Sequence, residues 1–130
     1  MIILTIRTDK PEAEIGLYDN EQQLGYESWS AHRELSETIH LKIDALLTTN
    51  SKPLENISAV LVFRGPGSFT GLRIGIAVAN AIADGLTIPV VGSQGEEWIP
   101  DGIDRLLAGN DDKIVQPEYG ALPNITAPRK

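Results

Sequence analysis

An α/β fold built on one mixed β-sheet is predicted by the order of hydrophobic patterns along the 130-residue chain. Three short strand patterns come first, and two helical patterns then alternate with two further strands. Adjacent strands followed by helix-connected strands are typical of a sheet that combines antiparallel and parallel pairing. The apolar content of 42% is enough for one core of ordinary size and excludes a disordered chain.

The first three predicted strands form an antiparallel meander. Residues 2–6 are apolar or β-branched and have no helical period, which indicates a buried strand. Residues 12–18 alternate between apolar and other side chains, as in a strand exposed on one face. A turn at 19–21 then allows residues 23–29 to return as the third strand.

A helix and a buried strand are predicted next. Apolar side chains recur at helical spacing from Leu35 to Leu47 and form one stripe. Ser30 is the predicted N-cap of this helix, and residues 50–53 end it. The nearly continuous apolar run 57–63 indicates a strand that is covered on both faces.

The second half of the chain begins with a glycine-rich turn at residues 64–71, followed by a very apolar helix over 70–86. A fifth strand is predicted at 88–91. Because Pro89 cannot donate a ladder hydrogen bond, this strand either starts there or lies at a sheet edge. One further short helix is predicted at 98–107.

The resulting order, β-β-β-α-β-α-β, is that of an RNase H-like (actin-like ATPase) lobe with a mixed five-stranded sheet and a short C-terminal extension. Residues 1–97 are predicted to form this lobe. Residues 98–130 are predicted to be a short helix and an extended, proline-containing tail in place of a second lobe. We expect the tail to be ordered only where it packs on the lobe.

Composition and charge argue against several classes of function. Eighteen acidic and eleven basic residues give a formal net charge of −7, which opposes direct nucleic-acid binding because that affinity rests on cations that neutralise phosphates. The lack of cysteine excludes disulfides and thiolate chemistry. No apolar run approaches the ~20 residues that span a bilayer, and the N-terminus does not resemble a signal peptide. A cytoplasmic protein without a membrane partner is therefore the default expectation.

The glycine-rich turn is a candidate anion site at Gly65, Gly67, Ser68 and Thr70. Backbone N–H groups at a helix start bind anions, and glycine permits their close approach. The alternative is a tight turn in which Ser68 or Thr70 caps the helix. The turn has neither the Lys-Ser/Thr pair of a Walker loop nor G-x-G-x-x-G spacing, and both interpretations stay open.

The helix after the turn carries a ridge of minimal side chains, Gly71, Gly75, Ala79 and Ala83. Glycine inside a helix costs roughly 0.5–1 kcal/mol relative to alanine, so Gly75 implies a close contact that compensates. A ridge with a spacing of four residues is the surface used in one common class of helix packing. We predict that a second protein covers this ridge, with the chain's own first helix as the alternative cover.

Residues 64–75, Arg-Gly-Pro-Gly-Ser-Phe-Thr-Gly-Leu-Arg-Ile-Gly, closely resemble the signature of the TsaB (YeaZ) family. The resemblance extends over about residues 1–93. It implies a non-catalytic subunit without a cofactor of its own. Such a subunit partners the paralogous enzyme TsaD and the ATPase TsaE, which add a threonylcarbamoyl group to a tRNA adenosine beside the anticodon.

The resemblance also implies where the partner binds. Members of the family pair with TsaD, or with a second copy of themselves, through the two helices of the first lobe, and a homodimer is expected where the partner is absent. The residues that we assign to this interface are Ser36, Ile39, Ile43, Gly71, Arg73, Gly75, Ala79 and Ala83.

Arg7 departs from the superfamily pattern, because members that bind ATP carry an acidic residue at the end of the first strand. A cation at that position cannot ligate Mg²⁺. The competing hypothesis is a nucleotide-binding or phosphotransfer lobe that uses the turn at 65–71. His32 and His40 share one side of the first helix with Glu37 and Asp44, but exposed helix histidines explain them better than a metal site.

Overall fold

The computed structural model describes residues 1–119, apart from the side chain of His32. The strands are β1 (Ile2–Arg7), β2 (Glu12–Asp19), β3 (Gln22–Ser30), β4 (Ala59–Phe63) and β5 (Val90–Ser93). The helices are α1 (Leu35–Thr49), α2 (Phe69–Leu86) and α3 (Trp98–Leu107), with 3₁₀ turns at His32–Glu34 and Leu54–Asn56.

The five strands form one mixed sheet in the order β3-β2-β1-β4-β5. Strand β1 pairs antiparallel with β2 and parallel with β4, while β3 and β5 extend the sheet on either side. The predicted RNase H-like lobe is confirmed. Strand β5 begins directly after Pro89 and lies at an edge of the sheet, as its missing N–H predicts.

The helices cover both faces of the sheet. A Cβ at Gly25 of β3 would point at Leu46 of α1, so α1 lies on the face that contains Gly25. Helix α2 packs on the same face. A Cβ at Gly102 of α3 would instead meet Leu61, and Leu61 belongs to the opposite face because strand side chains alternate. All three helices contribute to one hydrophobic core.

Several predicted boundaries differ from the structure. Ser30 lies inside β3 and is not an N-cap, because a 3₁₀ turn precedes α1 and leaves Glu34 at the cap position without a side-chain hydrogen bond. Ser68 does take the N-cap position of α2, also without a side-chain bond. Strand β5 starts two residues later than predicted because the N–H of Ile88 donates to the carbonyl of Ala83. Ile88 is therefore still engaged by the end of α2.

The segment after α3 runs along the edge of the sheet, and residues 110–119 are termed the strap. The N–H of Asp112 donates to the carbonyl of Val90, and the N–H of Gly92 donates to the Asp112 carboxylate. The side-chain amide of Asn80 donates to the carbonyl of Val115 and accepts from its N–H. The rest of the predicted tail, residues 120–130, lies outside the described residues.

Helix α3 and the strap follow the predicted division between residues 97 and 98, yet they pack into the same core as the residues before it. Trp98, Ile103 and Leu106 are buried in the same hydrophobic core as the strands, and Val115 of the strap is buried with them. The region beyond residue 97 thus completes the lobe as far as residue 119, and the division itself stays a prediction.

Helix α2 is 18 residues long with a mean hydropathy of 1.2, which is enough to span a membrane by length and composition alone. Thr70, Arg73, Asn80 and Asp84 interrupt it, so it is not the unbroken apolar run that the prediction excluded. Core helices of soluble proteins meet the same criterion, and Leu72 and Ile76 bury one side of α2 against the sheet.

Candidate interaction surface

The glycine-rich turn packs against the loop that joins β1 to β2. The N–H of Ser68 donates to the carbonyl of Asp9 at 3.2 Å, and the hydroxyl of Thr8 donates to the carbonyl of Gly71 at 2.7 Å. A Cβ at Gly67 would overlap Asp9, and a Cβ at Gly71 would overlap the carbonyl oxygen of Thr8. The space that an anion would need beside these glycines is therefore filled by the chain's own loop.

Gly65 shows why the turn requires glycine. Its φ is +123°, a conformation that other residues rarely adopt, and a Cβ there would overlap the carbonyl oxygen of Glu118 in the strap. Arg64 holds the same contact, because its side chain donates to the carbonyl of Gln116 at 2.9 Å. This geometry supports the tight-turn interpretation of Gly65, Gly67, Ser68 and Thr70 over the anion site.

The small-residue ridge of α2 faces the inside of the molecule. A Cβ at Gly75 would overlap the side chain of Thr8, and Ala79 and Ala83 are buried at 0% and 3% exposure. The close contact implied by Gly75 exists, but its partner is the end of β1. Neither a second protein nor α1 occupies that place, so the predicted contact with another helix is wrong at Gly75 and stays a prediction for Ala79 and Ala83.

The other predicted interface residues divide between core and surface. Ile39 and Ile43 of α1 are buried, while Ser36 and Arg73 are exposed. Of the predicted set, Ser36 and Arg73 are exposed, and Gly71 is half-buried. Ile43 reaches the surface only as part of the lining of a depression.

The exposed side of α2 carries a different set of small residues. Ala77, Ala81 and Gly85 follow one another at intervals of four, in line with Arg73, and all are exposed; the space beside Gly85 is open. The half-buried side chains of this side also recur at intervals of four, and they are Ile74, Val78 and Ile82. Sequence reasoning missed this side, although the same spacing of small residues was there to find it.

Helix α1 borders this area with mostly polar exposed side chains. A shallow depression of about 210 Å³ separates the two helices. It is lined by His40, Ile43, Asp44, Leu47, Leu54 and Ile82. The outer helix face is defined here as Ile74, Ala77, Val78, Ala81 and Ile82 of α2 together with Ser36, His40 and Asp44 of α1.

Arg7 fills the end of β1. Its Nε lies 2.7 Å from Oδ1 of Asp9, and its guanidinium carbon lies 3.9 Å from the ring centroid of Phe63. Burial acts to lower the pKa of Arg7, but the hydrogen bond and charge of Asp9 outweigh it, and the net shift is upward. The position thus holds a permanent cation, whereas a Mg²⁺ site needs oxygen ligands. Among the described side chains, which leave out that of His32, no cluster of three or more metal-ligating groups occurs.

Fold and surface together define a lobe of the RNase H-like superfamily in which one side of α2 is exposed and largely apolar. The family model of TsaD, tRNA N6-adenosine threonylcarbamoyltransferase, matches residues 25–94. The chain is 34% identical over 121 residues to the tRNA threonylcarbamoyladenosine biosynthesis protein TsaB of Escherichia coli (strain K12). That alignment covers 88% of this chain and 52% of the relative.

Solved structures agree with these matches. YeaZ from Pseudomonas aeruginosa superposes with a TM-score of 0.67 and 26% identity, over 72% of this chain and 43% of that chain. RuvC of Thermus thermophilus shares the fold alone, with a TM-score of 0.51 and 14% identity over 92% of this chain and 86% of its own. The chain belongs to the family of the matching model, among its TsaB (YeaZ) members, and it spans about half the length of the E. coli relative.

Proposed function

We propose that this chain is a non-catalytic interaction subunit of the tRNA threonylcarbamoyladenosine machinery. It docks through the outer helix face onto a TsaD-like transferase or, where that partner is absent, onto a second copy of itself. The observation that carries the proposal is the apolar, solvent-exposed side of α2 in a member of this family.

The outer helix face has the physical properties of a helix-packing surface. Contiguous exposed apolar patches on soluble proteins mark interaction sites. Ala77 and Ala81 allow another backbone to approach closely, and their spacing matches the ridge of one common packing class. Ile74, Val78 and Ile82 are half-buried in the isolated chain, so completing their burial would contribute about 1 kcal/mol each.

The partner proposed for this face is related to the chain itself. The transferase family model covers α1, β4 and α2, so a transferase of that family carries an equivalent helix pair. Two such pairs can meet about a two-fold axis with matching surfaces, as in isologous dimers. The same geometry accounts for a homodimer when only this chain is present.

The chemistry belongs to the partners in this proposal. Arg7 removes the acidic residue that a nucleotide–metal site would need, and the glycine-rich turn is filled by Thr8 and Asp9. ATP and its metal are therefore assigned to the transferase and to a TsaE-like ATPase. With a net charge of −7, the chain leaves tRNA binding to the same partners, in the cytoplasm.

The substitution Ala81→Glu tests the proposal. Ala81 is exposed, so the fold tolerates glutamate, but a charge placed against an apolar helix loses its hydration. We expect at least a tenfold loss of affinity for the TsaD-like protein of the same organism, about 1.4 kcal/mol or more. Light scattering of the mixed proteins measures the mass of the complex, and titration calorimetry measures its affinity.

The matched control is Ala45→Glu. Ala45 is exposed on α1 and lies three residues after Lys42, which pairs with Glu27 of β3, so it faces away from α2. This variant should retain the wild-type affinity. A wild-type chain that forms no complex with the transferase would refute the subunit role, and an unaffected Ala81→Glu complex would place the docking surface elsewhere.

A further inference from the structure

We propose that Arg33 and Arg73, on either side of a groove across the first turn of α2, bind carboxylate side chains of the docking partner. The inference rests on the proposed docking function and specifies the partner's chemistry, which is an apolar helix surface bordered by acidic residues.

The groove consists of two adjoining depressions. One of about 440 Å³ lies between the β1–β2 loop, the turn before α1 and the first turn of α2, and Lys10 and Arg33 are among its lining residues. The other, of about 330 Å³, lies over α2 beside Arg73. Both are lined by Thr70 and Ile74, so one surface connects the two arginines and continues into the outer helix face.

The charge of the groove is opposite to that of the whole chain. Three cations, Lys10, Arg33 and Arg73, line it, and no carboxylate of the described residues does, although the net charge is −7. Lys10 pairs with Glu14. Within residues 1–119 neither arginine forms an ion pair, so both guanidinium groups remain available to a carboxylate from outside.

Arg73 is held in place before any partner arrives. Its guanidinium carbon lies 5.3 Å from the ring centroid of Phe69, and that ring packs on Tyr119 with 4.6 Å between centroids. The strap holds Tyr119, because the N–H of Glu118 donates to the carbonyl of Arg64 at 2.7 Å. Stacking on a ring uses the face of the guanidinium and leaves its N–H groups free to donate, and a group that is already ordered loses less entropy on binding.

The lining of the groove favours a protein carboxylate over a phosphate. Leu35, Ile74 and Ala77 make much of the surface apolar, which suits side chains of a protein. The carbonyl oxygens of Thr8 and Asp9 also face the glycine-rich turn, where they would repel a phosphate group. A free phosphate is therefore treated as the competing outcome.

The test measures the affinity of the TsaD-like protein for charge-reversed variants. Arg33→Glu and Arg73→Glu should each weaken binding at least tenfold, and Arg73→Lys should weaken it less, because lysine keeps the charge but loses the stacked fork. Phe69→Ala should weaken binding through the loss of the stack. Raising the salt concentration should weaken the wild-type complex. It should also reduce the difference in affinity between the wild type and the charge-reversed variants.

The control is Lys52→Glu, which makes the same change in net charge. Lys52 lies beyond the end of α1, and Arg33 precedes its start, so the 15-residue helix separates them by about 20 Å. This variant should bind within about twofold of the wild type, the margin expected when only long-range charge changes. Thermal unfolding of every variant checks that each is folded.

Three results would overturn the inference. Wild-type affinity in both arginine-to-glutamate variants would overturn it alone and leave the docking function standing. Micromolar binding of inorganic phosphate to the chain, lost in Arg33→Glu, would assign the groove to a phosphate ligand. The lack of any complex with the wild-type chain would overturn the docking function and this inference together.

Discussion

Gly75 joins two parts of the fold at the scale of a single residue. The helix tolerates its low propensity because the side chain of Thr8 occupies the space where a Cβ would lie. The Thr8 hydroxyl also donates to the carbonyl of Gly71, so Thr8 cannot move aside without breaking that bond. The residue thus fixes the distance between α2 and the end of β1.

Gly75→Ala should therefore destabilise the chain although alanine is the better helix former. Overpacking of this kind costs about 1–3 kcal/mol, more than the roughly 0.5–1 kcal/mol gained from helix propensity. Urea unfolding measures the difference. The matched control is Gly85→Ala in the same helix, where the space is open and the substitution should be neutral or stabilising. Equal stabilisation by both substitutions would contradict the packing at Thr8.

The glycine-rich turn and Arg7 show what could be predicted from residue types alone. The glycine-rich turn was located from its composition. The residues that pack against it, Thr8 and Asp9, could not be predicted, because they lie some sixty positions earlier in the chain. Arg7 was recognised as a cation at an unusual position. Its stacking on Phe63 depends on the pairing of distant strands and has no local signal.

At the scale of elements, α2 shows where sequence reasoning reached its limit. The order of strands and helices was predicted throughout, and α3 begins and ends at the predicted residues. The small-residue ridge of α2 was predicted to face another helix, whereas Gly75 of that ridge packs against Thr8. Because α2 is apolar on nearly all sides, the periodicity of its hydrophobic residues does not identify the buried side. The helix also carries two sets of small residues with the same spacing, one beginning at Gly71 and one at Ala77. Spacing alone does not tell which set faces the sheet.

The strap is the element whose attachment should depend on pH. Burial acts to raise the pKa of Asp111, but hydrogen bonds from the N–H groups of Val90 and Lys113 and the charge of Lys113 lower it overall. A carboxyl group whose pKa is depressed by folding contributes stability above its unfolded pKa and loses that contribution as the pH falls through the folded value.

Asp111→Asn should therefore lower the free energy of unfolding at pH 7 and make little difference once the pH is below the folded pKa of the carboxyl group. Urea unfolding at pH 7 and at a series of lower pH values measures how the difference in the free energy of unfolding changes with pH. Asp104→Asn changes an exposed carboxylate of α3 and serves as the control. If Asp111→Asn lowers the free energy of unfolding by the same amount at every pH, the charge of Asp111 does not hold the strap.

At the scale of the whole molecule, both faces of the sheet share one core. The buried residues of α1 and α2 on one face and of α3 on the other belong to a single hydrophobic cluster. Trp29 of β3 lies against α1, where it donates to Thr38, and Trp98 of α3 packs edge-on against Phe63 at 5.7 Å. The two tryptophans therefore report separately on the two layers.

The described lobe should unfold in one cooperative transition. Trp29→Phe leaves Trp98 as the reporter of the α3 layer, and Trp98→Phe leaves Trp29 as the reporter of the α1 layer. Within each variant, fluorescence and circular dichroism should give coincident urea transitions, as expected of a small domain with one core. An earlier fluorescence transition in Trp29→Phe would show that the α3 layer unfolds independently and would support a structural division near residue 97.

The carboxylates of the strap also prevent the sheet from pairing with a strand of another molecule at β5. The outward N–H groups of Val90 and Gly92 are already bound by Asp111 and Asp112, so β5 offers no free ladder to an incoming strand. Lateral extension of the sheet at that border is blocked by two short acidic side chains. Association at this border is thereby left to side-chain contacts, by which partners can be distinguished by shape and charge.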